Sequence, residues 1–456
     1  MTAGVTTERR SPGGTAGQRS VWLGAARSAG VRLLVLPVSA ILGIVVTRLV
    51  IENYGTAAFA QYGLLVAIGA LLPFTDLGMS AAVVDAVSSA ESPSTDERVR
   101  RVLVTAIRVL IGSAVVLALL GLVVTALGAW PTLLGAGLLP GSGPLVALCC
   151  VLLIALAVPL GVGQRLLVGL GKNHVTVAVL GLQTPLVLAA LLLLLAWDVP
   201  AGPAVPVLAY AAILVLAAVC AVVAARQIRP LFRDALRQVP RLRSYRGGRV
   251  LALAWPMLVQ LVAVPVAMQT DRIVLSHRAS GEALTQYNLA AQMFTPIWAV
   301  VSTAGAALWP VFARARARGE RRSPVPVALV FGGLAAAVAT VVGLASGWLA
   351  ELASGGAVTL STSLVLAFGA LMTVQALKYP LGMFLTDAAG LRFQAGMIVA
   401  MVPVNVGLSW YLAARMGPAG PVLGSVVGVV VFELAANALY VRHRLRSTPA
   451  APEVRS

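Results

Sequence analysis

Charge is what this chain has least of. Asp, Glu, Lys and Arg make up 11% of its 456 residues, against about 25% in a soluble domain. So few ionised groups cannot cover a water-facing surface, and a soluble globular fold is excluded. Lysine is nearly missing: Lys172 and Lys378 are the only two, and the other cations are arginines. His174, His277 and His443 are too scattered for a metal-binding pair, and no Walker-type phosphate loop is present. Cys149, Cys150 and Cys220 all fall inside apolar runs and read as small core residues, with no structural disulfide expected. Extensive outer loops are also missing. The largest, 128–143, is uncharged and rich in Gly, Pro and Leu. A membrane glycosyltransferase or polymerase needs catalytic groups on such a loop, so no enzyme, cofactor or metal centre is expected.

What is present is apolar. Hydrophobic residues make up 59% of the chain, and the mean hydropathy is +0.92. Runs of roughly 20 apolar residues recur from end to end, each long enough to cross about 30 Å of hydrocarbon. They lack the alternation of a membrane barrel. The expected fold class is all-α, a polytopic integral membrane protein with twelve transmembrane helices. The spans lie near 31–51, 59–87, 102–127, 144–169, 174–197, 205–225, 250–276, 284–312, 325–349, 359–386, 393–414 and 419–441.

The net charge of +18 comes from 34 Lys and Arg against 16 Asp and Glu. Nearly all the cations fall at or near the N-terminal side of odd spans; Arg48, Arg272, Arg278 and Arg415 are the exceptions. The positive-inside rule then places both termini in the cytoplasm. Topogenesis and contact with anionic membrane lipids account for the basicity, and nucleic acid is not an expected partner.

Two phrases repeat. In "TRLVIENYGTAAFAQYGLL" (47–65) and "TDRIVLSHRASGEALTQYNLA" (270–290), Arg48 aligns with Arg272. With one extra residue in the second copy, Gln61-Tyr62 then meets Gln286-Tyr287. Recurrence six helices apart in one orientation is the mark of a parallel repeat, two pseudo-symmetric six-helix bundles. The expected organisation is a disordered cytoplasmic tail (1–21), an N-terminal bundle (22–225), a linker (226–249), a C-terminal bundle (250–441) and a second tail (442–456). Within the linker, Ile228, Leu231, Phe232, Ala235, Leu236 and Val239 form one apolar stripe, with Arg226, Arg229, Arg233 and Arg237 on much of the other face. This predicts a short amphipathic helix in the inner headgroup layer, bounded by Pro230 and Pro240.

Polar residues inside hydrocarbon are costly and usually face a cavity or a partner. In span two, Asp76 either faces a cavity or pairs with Arg27, Arg32 or Arg108 in the inner half of the first bundle. The second half carries Gln260, Gln269, Asp271, Arg272, Gln292, Gln375, Lys378, Asp387, Asn405, Glu433 and Asn437. Asp271 and Arg272 are sequence neighbours, so they must point to different partners. Lys378 either reaches for the interface or lines the cavity. Pro37 in span one, with Pro256 and Pro265 in span seven, removes helix hydrogen bonds and permits bends in repeat-related helices.

The stretch "RLLVLPVSAILGIVVTRLVIENYGTAAFAQYGLLVAIGALLPFTDLGMSAAVV" resembles the N-terminal half of bacterial polysaccharide flippases, within the multidrug/oligosaccharidyl-lipid/polysaccharide exporter superfamily. "TDRIVLSHRASGEALTQYNLAAQMF" resembles the start of their second half. The resemblance covers about residues 22–445. It implies a V-shaped pair of bundles that alternates between inward and outward openings in the bacterial cytoplasmic membrane. The implied substrate is an oligosaccharide on a polyprenyl pyrophosphate; a polysaccharide polymerase and glycosyltransferases are the implied protein partners. Arg48, Asp76, Asp271, Arg272, Tyr287 and Asn288 match the family's motifs. Arg27, Arg32, Arg108, Gln292 and Lys378 complete the expected substrate-binding set. Gln292 stands where related flippases often have a basic residue. Twelve spans favour the O-antigen or exopolysaccharide branch over the fourteen-helix lipid II flippases. A cation-coupled multidrug exporter of the same fold and a non-transporting scaffold for envelope synthesis are the alternative readings.

Overall fold

A computed structural model of the chain describes residues 13–71, 79–241, 266, 269–306, 308–317 and 323–447. These residues are almost wholly helical. Helix α1 covers Gly13–Leu71. It is followed by α2 (Met79–Ser89), α3 (Glu97–Ala126), α4 (Trp130–Leu134), α5 (Gly143–Leu160), α6 (Val162–Gly169), α7 (Asn173–Leu180), α8 (Gln183–Ala196), α9 (Val205–Gln227) and α10 (Arg229–Gln238). The second half comprises α11 (269–278), α12 (Gly281–Ala306), α13 (Leu308–Ala317), α14 (Val325–Ser354), α15 (Thr362–Phe384), α16 (Ala388–Met416), α17 (Ala419–Gly428) and α18 (Ala436–Ser447). A π-helical turn, Val429–Ala435, joins the last two.

Helix α1 is a folded hairpin. Its one non-helical residue is Gly55, at φ 83° and ψ 168°, a backbone region that glycine reaches without steric cost. A Cβ on Gly43 would meet Gln292, and one on Gly63 would collide with Asn288. Gly43 and Gly63 would stand about 30 Å apart on a straight helix, whereas Asn288 and Gln292 are one turn, about 6 Å, apart. Both contacts form only if the chain reverses at Gly55. The predicted loop between spans one and two is this reversal.

Helix starts and stops follow local chemistry. Asp96 caps α3: its Oδ1 accepts from the backbone N–H groups of Arg98 (2.6 Å) and Val99 (3.2 Å). Helix α14 opens with Pro in its first turn and ends at Gly355, which is left-handed at φ 62°. Among the described residues, nine segments are long and apolar enough to cross a membrane, the first being Leu34–Gly69 and the last Ala419–Arg446. Most of predicted span seven, with Pro256 and Pro265, and the middle of span two lie outside the described residues. The chain is a multi-pass membrane protein of helices. Its lipid-facing surface is apolar, with Leu344 85% and Leu366 67% exposed.

The linker helix α10 forms where its apolar stripe predicts, with Pro230 in its first turn. All of the stripe but Leu236, which stays exposed, is spent on the protein. Leu231 and Ala235 are buried in one core with Val99, Leu103 and Ile107 of α3 and Leu166 of α6. Arg229, Arg233 and Arg237 are exposed on the other side.

Candidate functional site

Two halves of the chain meet along one edge. From the first half this edge uses the end of the first α1 arm, the start of the second, and the loop around α4. From the second half it uses α11, the start of α12 and the end of α14. Thr47 Oγ1 donates to Gln292 Oε1 at 2.7 Å, and Gly137 N–H to Ser276 Oγ at 2.7 Å. Asn288 Nδ2 donates to the Ala60 carbonyl at 3.4 Å and Arg48 Nη1 to Leu352 O at 3.4 Å, while Thr285 Oγ1 lies 3.3 Å from Thr56 O and 3.0 Å from Gly281 O of its own helix. Leu64, Leu65, Leu275, Leu284 and Phe294 fill the seam behind these bonds. The reversal at Gly55 and the turn between α11 and α12 both lie at this edge.

Below the seam lies a cavity of about 390 Å³. Its walls run along α1 from Leu36 to Thr47, along the second arm from Phe59 to Val66, and along α12 from Asn288 to Ala299, with Gln183 and Thr184 of α8. Each long wall is twelve residues long, roughly 16 Å of helix. Small residues make this room: Ser39, Ala40, Gly43 and Gly63 all face it. The polar lining is amide and hydroxyl, from Ser39, Thr47, Tyr62, Gln183, Thr184, Asn288, Gln292 and Thr295. Arg272 is the one charged side chain among the described lining residues, and no carboxylate faces it there.

Arg272 is held at the ceiling of this cavity. Its Nε donates to Asn288 Oδ1 at 2.8 Å and its Nη1 to Gln269 Oε1 at 2.7 Å. The guanidinium carbon lies 5.5 Å from the Tyr287 ring centroid. Nη2 has no hydrogen-bond partner among the described residues. A positioned guanidinium with a donor edge free of described partners, and no carboxylate bonded to it among the described residues, is suited to a carboxylate or phosphate oxygen.

Asp271, one residue away, points into the second half and is 1% exposed. Its Oδ1 accepts from Ser409 Oγ at 3.2 Å; its Oδ2 accepts from Ser425 Oγ at 3.2 Å and Tyr287 OH at 3.4 Å. Ser409 Oγ also lies 3.3 Å from Asn405 Oδ1 and 3.2 Å from the Pro421 carbonyl oxygen. A hydroxyl has one hydrogen, and here it faces three acceptors. Two of those approaches are therefore oxygen against oxygen with no proton between them. The carboxylate has no ion-pair partner among the described residues. Ser425 Oγ in turn accepts from Asn405 Nδ2 at 3.1 Å, so the nest is a buried cluster of oxygens around one carboxyl group. Clusters of three or more His, Cys, Asp or Glu are absent among the described residues.

The remaining predicted positions are dispersed. Arg48 bridges to Glu52 at 2.7 Å on the rim of the seam, both about half exposed. Arg108 does not face the described cavity: its Nε and Nη2 donate to the carbonyls of Val239 (2.9 Å) and Gln238 (2.7 Å), capping the end of α10. Lys378 neither reaches for the interface nor lines this cavity. It pairs with Glu433 at 2.5 Å, with side chains 13% and 10% exposed, and lies 5.9 Å from the Trp298 ring. Glu433 sits on the π-helical turn, whose extra residue re-aims it into the bundle. Tyr287 is buried beside Asp271 and Phe368, behind the cavity wall. Arg27 and Arg32 lie on α1, but their side chains are outside the described residues, as is Asp76 altogether. Asp387 accepts from both Nη atoms of Arg444, at 2.6 and 2.8 Å. Those hydrogen bonds hold its carboxyl below the usual carboxylate range. It therefore stays ionised near neutrality and is a poor proton carrier.

This geometry defines a class, membrane proteins of two helical halves around a cleft, and solved structures share it. The chain aligns with an inward-facing multidrug resistance MATE family transporter of the MOP superfamily at a TM-score of 0.61 and 15% identity, covering 92% of this chain and 99% of that one. It aligns with the lipid II flippase MurJ, in an inward closed conformation, at 0.62 and 10% identity, covering 92% and 88%. The Vibrio cholerae MATE transporter VcmN aligns at 0.57 and 16% identity, covering 94% and 99%. At these identities the likeness is one of fold. No curated protein matches the sequence. The protein belongs to the polysaccharide biosynthesis protein family, which matches residues 25–316.

Proposed function

We propose that this protein is a flippase. It moves an oligosaccharide on a polyprenyl pyrophosphate from the inner to the outer leaflet of the bacterial cytoplasmic membrane, for cell-surface polysaccharide synthesis. The observation that carries this reading is Arg272, a guanidinium with a free edge in a cavity whose described lining holds no carboxylate. A cavity for cationic drugs needs the opposite charge. The amides and hydroxyls around Arg272 match the hydroxyls of a glycan, and the prenyl tail stays in lipid. Family membership supports a role in polysaccharide biosynthesis. The superfamily fold supports alternating access, with the zipped edge as the outer gate. The Asp271 nest gives the reading its energy source: a monovalent cation bound there couples its gradient to rearrangement of α11, α12, α16 and α17. Anionic lipid headgroups occupy the exposed Arg229, Arg233 and Arg237 of α10.

Export of surface glycan in cells tests the role of Arg272. Arg272→Gln keeps an amide between Gln269 and Asn288 but removes the charge. Loss of a charge-assisted hydrogen bond of about 1.5–3 kcal/mol lowers export at least tenfold. Arg272→Lys retains part of it, and membrane abundance of both variants stays near that of the parent. Full export by Arg272→Gln removes Arg272 from the substrate path.

A further inference from the structure

One side chain of the outer seam has more hydrogen-bond acceptors facing it than its neutral form can serve. His277 is in the last turn of α11, exposed at the rim. Its Nδ1 lies 2.8 Å from the carbonyl oxygen of Ile273, on the same helix. Its Nε2 lies 2.9 Å from the carbonyl oxygen of Thr132, on α4 in the other half. Carbonyl oxygens only accept. A neutral imidazole has one N–H and one lone pair, so it satisfies one of these oxygens and turns a lone pair towards the other. An imidazolium donates to both. The C-terminal turn of a helix adds to this preference, because its free carbonyls favour a cation.

The neighbouring charges are few. Arg278 follows on the same helix and lies 5.1 Å from the Trp410 ring centroid. The His277 ring is 6.2 Å from that same indole. Helix α4 carries no ionisable group. On α16, Arg415 stacks on Tyr411 at 4.3 Å. At the start of α12, Glu282 accepts from Gln286 at 3.3 Å. No carboxylate pairs with His277 among the described residues. Two carbonyl oxygens thus face the ring nitrogens, and one guanidinium stands beside the same indole. Histidine is the side chain whose charge such surroundings switch across the physiological pH range.

The clip is reinforced next door. Ser276 Oγ accepts from Gly137 N–H, and Gly135, at φ 73°, packs so close that a Cβ there would stand 2.6 Å from the Ser276 carbonyl oxygen. The α4 loop is therefore fastened to the end of α11 at two successive residues, and only the histidine is titratable.

We propose that His277 is a proton-binding latch on the outer gate. The imidazolium clips α4 to α11 and holds the cavity shut on that side, and loss of the proton frees the clip. This rests on reading the zipped edge as the outer gate. The proton binds and leaves at the outer rim, since opening the seam exposes His277 to the same side. The latch therefore senses external pH and supplies no transport energy, which separates it from the Asp271 nest.

The test is labelling by a membrane-impermeant maleimide, from outside, of the full chain with its native cysteines replaced. A single cysteine at Leu284, buried in the seam, reports opening. A cysteine at Thr359, on an exposed loop, corrects for the reagent's own pH dependence. With His277 present, corrected labelling rises about tenfold from pH 5.5 to 8.5, the lower end for one charge-assisted hydrogen bond. His277→Gln labels at a pH-independent rate. His277→Arg, a fixed cation that reaches both carbonyls, labels slowly throughout. A flat profile with His277 present, or a pH response that survives His277→Gln, overturns the latch. Gly63→Val, which wedges the seam, separates the two ideas. If its labelling is also low, the gate reading fails; if it labels fast while the parent is flat, only the latch fails.

Discussion

Asp271→Asn is expected to abolish cation-dependent stabilisation and to reduce glycan export below a tenth. The substitution is nearly isosteric, so the packing among Tyr287, Ser409 and Ser425 survives. It removes the only formal negative charge of the nest and supplies two N–H hydrogens. An amide nitrogen at the Oδ1 position donates to Ser409 Oγ, which frees the Ser409 hydrogen for Asn405 Oδ1 or the Pro421 carbonyl. The variant is thus folded but no longer needs a cation. A ligand at a hundred times its dissociation constant stabilises the binding state by about 2.7 kcal/mol. Thermal unfolding of the purified parent in sodium, potassium and choline chloride reads this directly: sodium or potassium raises the midpoint over choline, and Asp271→Asn shows no difference. Identical salt responses in both proteins would make the nest a structural hydrogen-bond cluster.

Gly63→Val is expected to hold the outer seam open and stop export. A Cβ on Gly63 overlaps Asn288 Nδ2, Cγ and Oδ1 together. Asn288 is 5% exposed and tied to Arg272 and to the Ala60 carbonyl, so it has nowhere to retreat. Overpacking of this kind costs about 1–3 kcal/mol. Part of that cost is relieved if the two halves separate along the edge. Spin labels on the exposed rim at Asp198 and Thr359 should report a longer and broader distance than in the parent. An unchanged distribution with normal export would mean that the close approach of α1 and α12 has no part in the cycle.

The parts of this architecture legible in the sequence are those written in run length and local punctuation. Apolar runs of membrane length give the helices, and the polar phrase around Gly55 gives the first reversal. The apolar stripe of α10 gives that helix, though not its burial side, since Leu231 and Ala235 face protein rather than lipid. The neighbouring charges Asp271 and Arg272 do point to different partners, as helix geometry demands. Their partners were not legible. Ser409 and Ser425 lie more than a hundred residues away, and a serine in an apolar helix gives no sign of a binding role. Arg108 reads as a cavity cation, yet its acceptors are backbone carbonyls, which no side-chain pattern reveals. Lys378 and Glu433 each look isolated until a π-helical turn aims one at the other. The repeat misleads on roles. Tyr62 lines the cavity, whereas its counterpart Tyr287 backs the Asp271 nest. Gln61 is wholly buried, bonded to the Pro203 carbonyl and the Leu139 N–H, and Gln286 reaches only to Glu282.

The central claim is that the cleft between the halves carries a phosphate-linked glycan across the bilayer. Proteoliposomes holding the purified chain and a polyprenyl-pyrophosphate oligosaccharide, with an outward-directed or inward-directed sodium gradient, test it most directly. Arrival of the sugar in the opposite leaflet is read by an impermeant periodate or a lectin. The account predicts protein-dependent translocation that collapses in Arg272→Gln and loses its gradient dependence in Asp271→Asn. Translocation no faster than in protein-free vesicles, with a folded protein and either gradient, would contradict it.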